Sequence, residues 1–101
     1  MKFSDNLATL ASIDHLQKLE LLNADGSLAA TIENKAGSQG SLKVYQHLWK
    51  KHGSINVAAA EEGLELYAEH TADAEQNPGK HPNIDRLFEI ISSGKSLIVK
   101  A

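Results

Sequence analysis

The sequence predicts an α+β fold: a small, mostly antiparallel three-stranded sheet, made of a hairpin and a C-terminal strand. About three to four helices pack on it, in the order α-β-β-α-α-α-β. Three observations lead there. Apolar residues alternate on both sides of the turn Asn23-Ala24-Asp25-Gly26. Helical periodicity recurs over residues 41–52, 57–75 and 84–91. The chain closes on Leu97-Ile98-Val99, a short run suited to a strand.

Taken in order, Ser4 to Ala11 reads as a short helix, with Ser4 as cap, Asp5 in the first turn, and Phe3, Leu7 and Leu10 on one face. The hairpin follows. Leu19 and Leu21 alternate with Lys18 and Glu20, and Leu28, Ala30 and Ile32 alternate with Ala29, Thr31 and Glu33. Leu22 breaks the alternation and marks a bend. Residues 41–52 form an amphipathic helix with Leu42, Val44, Tyr45, Leu48, Trp49 and His52 on its buried side. Ser41 is its expected cap and Gly53 its stop. A second long helix is expected from Val57 to Glu75, capped by Asn56, with Val57, Ala60, Leu64, Tyr67, Ala68 and Thr71 as its apolar stripe and a kink near Thr71. Gly63 there implies the close approach of a neighbour. After the turn "NPGKHPN", Asn83 caps a helix that buries Ile84, Leu87, Phe88 and Ile91, and Gly94 ends it. The three stripes call for a covering surface, which the sheet is expected to supply.

At 101 residues the chain is expected to form one globular domain, residues 1–101. It has no cysteine, which removes disulfides, thiolate metal sites and cysteine nucleophiles and suits a cytoplasmic location. No apolar run approaches membrane-spanning length, so no membrane association is expected. The net charge of −3 is uneven: residues 53–79 hold six acids and no lysine or arginine, which argues against nucleic acid as a partner. Five histidines could turn −3 into +2 on full protonation, which raises the idea of acid-triggered switching.

The stretch "ENKAGSQGSLKVYQHL" poses the main chemical question. A helix N-terminus preceded by glycines offers unpaired amides and the positive end of the helix dipole to an anion. Lys35, Gly37, Ser38, Gln39, Gly40 and Ser41 are therefore candidate anion ligands. The spacing is not that of a Walker loop, since only Ser38 and Gln39 separate the glycines and Ser41 follows. The plainer reading is a strand-to-helix turn. Tyr67, His70 and His81 are candidate pocket residues, weighed against a structural role for each histidine. No H-x-x-x-H or E-x-x-H pair occurs on the helices either side of the proline turn, and the helical wheel separates His47 from His52; no metal and no cofactor is expected. No catalytic serine motif occurs and no catalytic residue is assigned, which leans against an enzyme. Tyr45 and Trp49 are candidate interface residues, and the acidic helix face is a candidate dock for a basic protein.

At "IENKAGSQGSLKVYQHL" and "EHTADAEQNPGKHPNIDRL" the chain resembles a family of short bacterial proteins classed as a domain of unknown function. The likeness runs over nearly the whole length, including "LLNADGSLAATIENK". It implies a bacterial, soluble, free-standing domain and carries no catalytic residue, cofactor or substrate. Two functions are weighed. The first is a non-enzymatic protein-binding or regulatory domain, acting on an unknown partner or as a homodimer. The alternative is a protein binding an anionic metabolite or phosphate, or a minor enzyme, with its site at Gly37–Ser41. A single pocket holding both those amides and a histidine would favour the alternative.

Overall fold

The computed structural model describes residues 2–101. Its elements are α1 (Phe3–Leu7), β1 (Lys18–Leu22), β2 (Leu28–Glu33), α2 (Gln39–His52), α3 (Val57–Tyr67), α4 (Glu69–Gln76), α5 (Pro82–Ser93) and β3 (Ile98–Lys100). The fold is the expected α+β one. Counting α3 and α4 as the two halves of one expected helix, the order is α-β-β-α-α-α-β.

The sheet order is β2-β1-β3, antiparallel throughout, so the alternating strand Lys18–Leu22 is central. Leu19 pairs with Ile32, and Leu21 lies opposite Val99, which places the buried residues of three strands on one face. The register shifts between Leu21 and Leu22, at the residue where alternation fails in the sequence. The far face carries a row of Leu28, Leu22 and Ile98 across the strands. Leu28 is not the inward residue that simple alternation makes it; it is 56% exposed, because the shifted register turns it outward.

α2 packs on β1 and β2 and buries Leu42, Val44, Tyr45, Gln46 and Leu48. α3 does not lie mainly on the sheet as its stripe predicts: it packs chiefly on α2 and α5 and forms a second layer. Gly63 makes that packing feasible, since a Cβ there would lie 2.7 Å from Leu87 Cδ1 and 3.0 Å from Leu48 Cδ1. In α5 the buried residues are Ile84, Leu87 and Ile90, with Phe88 and Ile91 only half-buried. Ile90 shares their stripe one turn from Leu87 and was missed.

Three helices start two or three residues earlier than their expected caps imply, and α3 starts where its cap implies. Asn56 caps α3 as expected, its Oδ1 accepting from the Ala59 N–H at 2.8 Å. Ser41 and Asn83 do not cap, because α2 begins at Gln39 and α5 begins at Pro82, a residue suited to the first helical position. Ser4 lies within α1, where Asp5 accepts from the Lys2 N–H at 3.1 Å.

The acidic face of α3 is less solvated than its composition implies. Glu62 turns back to α2, where its carboxylate meets His47 Nε2 at 2.7 Å, His52 Nε2 at 2.9 Å and Lys51 Nζ at 3.0 Å. The two histidines that the wheel separates thus share one partner. Partial burial pushes the Glu62 carboxyl up, but hydrogen bonds from His52, His47 and Lys51 outweigh it and hold the group at about 2. A depressed folded value gives stability that is present above the ordinary 4.5 and is lost as pH falls through about 2. Glu62→Gln is therefore expected to cost about 1 kcal/mol at pH 6, after allowance for solvent screening. Urea titrations of both proteins from pH 6 down to pH 2 should converge in acid; parallel curves would refute the linkage.

Candidate functional site

Three helix starts and the short α1 surround one cleft. Its cavity of about 460 Å³ is lined at the start of α2 by Gly37, Gln39, Gly40 and Ser41, and at the start of α5 by Lys80, His81, Pro82, Asn83 and Ile84. Tyr67 and His70 form a third side, Phe3 and Leu7 a fourth.

The α2 side is set by its approach. Gly37 turns the chain with φ 93, a value that favours glycine. The Ser38 hydroxyl donates back to the Glu33 carbonyl at 2.6 Å rather than capping the helix. Gln39 Nε2 donates to Asn34 Oδ1 at 3.1 Å, and Asn34 in turn donates to the carbonyls of Ile13 and Leu16. The first hydrogen bond into the helix runs from the Leu42 N–H to the Ser38 carbonyl. The amides of Gln39, Gly40 and Ser41 have no acceptor among the described residues. Gly40 lets α1 come close: a Cβ there would lie 3.3 Å from Leu7 and Phe3.

Ser41 Oγ accepts a hydrogen bond of 2.7 Å from the buried Tyr67 hydroxyl. Burial raises the Tyr67 phenol far above its ordinary value, so it stays a neutral donor. Ser41 keeps its own hydroxyl hydrogen to give elsewhere.

The α3–α4 break positions His70. The sequence predicts one helix to Glu75 with a kink near Thr71; the chain instead breaks at Ala68, with φ 51 and ψ −117. The Thr71 hydroxyl donates to the Leu64 carbonyl at 2.6 Å, and Asn6 Nδ2 takes the Leu66 carbonyl at 2.9 Å, satisfying groups that the break frees. Glu69, now at the start of α4, accepts from the Phe3 N–H at 2.7 Å. Phe3 stacks on Tyr67 with centroids 5.1 Å apart, His70 meets Phe3 edge-on at 5.1 Å, and His81 lies 5.6 Å from His70. The four rings thus form one continuous chain across three sides of the cleft.

On the α5 side, Asp73 holds His81 Nε2 at 2.6 Å and Lys80 Nζ at 3.0 Å. Hydrogen bonds from His81 and Lys80 keep the Asp73 carboxyl down at about 2, so it is ionised at neutral pH. The His81–Asp73 bond accordingly carries its hydrogen on Nε2, which leaves Nδ1 as the ring's second polar atom. Asn83 is fixed by its carbonyl, which accepts from the Tyr45 hydroxyl, and by its Oδ1, which accepts from Arg86 Nη1 at 2.8 Å. Its own amide has no acceptor among the described residues.

The structure brings together Gly37, Gln39, Gly40, Ser41, Tyr67, His70 and His81 from the sequence candidates. Ser38 and Lys35 stand outside the lining, the latter 3.5 Å from Glu33. Tyr45 is fully buried, so it offers no surface to a partner, and burial pushes its phenol up to about 12 against the opposing charge of Arg86. Trp49 is half-buried against the core, with Lys50 Nζ 4.2 Å from its ring centroid. Phe3, Lys80 and Asn83 were missed as site residues. The signal for the last two was the His81-Pro82 pair, which marks a helix start and hence a second set of free amides. Among the described residues no group of three histidine or acidic side chains could hold a metal, and no helix is long and apolar enough to cross a membrane.

A family model described as an uncharacterized protein conserved in bacteria (DUF2322) matches residues 3–101. No curated protein and no solved structure matches the chain.

Proposed function

The chain belongs to this family of uncharacterised bacterial proteins, and we propose that it binds a small anionic metabolite in the cleft between α1, α2, α4 and α5. The observation that carries the reading is the meeting of two helix starts in one cavity. Gln39, Gly40 and Ser41 from α2 and Asn83 from α5 line it together with Lys80, His70 and His81. Each start contributes unpaired amides and a partial positive charge, and both helices are long enough for that charge to matter, at 14 and 12 residues. Ser41 adds a hydroxyl backed by Tyr67. The fixed negative charge of Asp73 is offset locally by Lys80. Nothing in the reading requires a reaction: the donors bind and orient.

Thermal-shift screening against phosphorylated metabolites, nucleotides and carboxylates tests it. A ligand at a hundred times its Kd stabilises the fold by about 2.7 kcal/mol, a rise in Tm on the order of 10 °C for a chain of this size. Lys80→Ala and Ser41→Ala are expected to weaken the hit about five- to tenfold each, and added salt to weaken it further. No shift across the panel would remove the reading. It would leave a second one, protein docking, which the exposed Leu28 and Ile98 on the outer sheet face favour.

A further inference from the structure

Resting on the reading of the cleft as an anion site, we propose that its ligand is a phosphate monoester joined to a planar ring. The cavity and its walls carry the inference. At about 460 Å³ it has the size of a site for an organic small molecule, which runs from roughly 300 to 1,000 Å³, and far exceeds what one oxyanion fills. Its donors gather at the two helix starts, where the Gln39, Gly40, Ser41 and Asn83 amides, the Ser41 hydroxyl and Lys80 suit a single multi-oxygen head group.

Aromatic rings run across the other sides. Tyr67, Phe3, His70 and His81 follow one another in that order at centroid distances of 5.1, 5.1 and 5.6 Å, with interplanar angles of 22°, 88° and 52°. The changing tilt makes a corner of ring faces and edges, into which a flat guest fits by stacking on one ring and meeting another edge-on. An aliphatic phosphate would leave that corner wet. Two common chemistries share the required features, a nucleoside monophosphate and a phosphorylated pyridine.

Calorimetric titration of the full chain with adenosine 5′-monophosphate, pyridoxine 5′-phosphate, ribose 5-phosphate and inorganic phosphate decides the matter. We expect one of the ring compounds to bind at least tenfold more tightly than ribose 5-phosphate, and which one does so identifies the source. Phe3→Leu keeps an apolar side chain and removes a ring face, so it should bring that ratio toward one. If ribose 5-phosphate binds as well as both ring compounds, the ring inference is overturned while the anion site stands. If no phosphate ester binds, the phosphate-and-ring inference is overturned, and the anion site itself is decided by the carboxylates of the wider panel.

Discussion

Leu87→Ala is expected to destabilise the protein by about 2–5 kcal/mol, the range for a leucine truncated inside a packed core. Leu87 is fully buried on α5, and its Cδ1 fills the space directly above Gly63 of α3. Truncation opens a void that neither helix can close, because the glycine opposite has no side chain to move into it. A domain of this size has about 5–15 kcal/mol to lose, so the change removes a large share of it. In urea the midpoint should fall while the slope stays the same. A loss below about 1 kcal/mol would mean that α5 is not seated on α3.

Gly63→Val is expected to cost about 1–3 kcal/mol for the opposite reason, overpacking. Its Cβ alone would sit 2.7 Å from Leu87 Cδ1 and 3.0 Å from Leu48 Cδ1, and both leucines are fully buried with little room to retreat. The pair is coupled, so a cycle gives a sharper test than either change alone. An alanine at position 63 gains about 1 kcal/mol of helix propensity over glycine. In the native background the clash with Leu87 consumes that gain. In the Leu87→Ala background the nearer obstruction is gone and Leu48 Cδ1, 3.0 Å away, gains space to shift by a few tenths of an ångström, so Gly63→Ala should then stabilise the protein. Additive effects of the two substitutions would refute the packing.

The strands were the most legible part of the sequence. Lys18–Leu22 and Leu28–Glu33 were bounded by turn residues whose chemistry leaves little choice, and the failure of alternation at Leu22 marked the register shift. The helices were legible as stripes and less so as ends, since several polar residues near each start compete to be the cap. The break at Ala68 had only an approximate signal, the kink expected near Thr71: alanine is the best helix former, and only tertiary contacts impose its positive φ. Gln46 went the same way, a polar residue on the expected outer face that lies buried with Nε2 on the Ser12 carbonyl at 3.2 Å. Of the cleft, the sequence showed the parts and not the whole. The Gly37–Ser41 turn and the histidines were each visible, but α2 and α5 meet through contacts far apart in the chain, Tyr45 on the Asn83 carbonyl and Gly63 of α3 against Leu87.

The cleft draws its walls from stretches far apart along the chain, from Phe3 through Ser41 and Tyr67 to Ile84. No fragment missing either extreme possesses it, and a chain emerging from the ribosome has nothing to offer a guest until residue 84 is out. Occupancy would therefore certify that α1 and α5 have docked, and an occupant would stitch the first helix to the last.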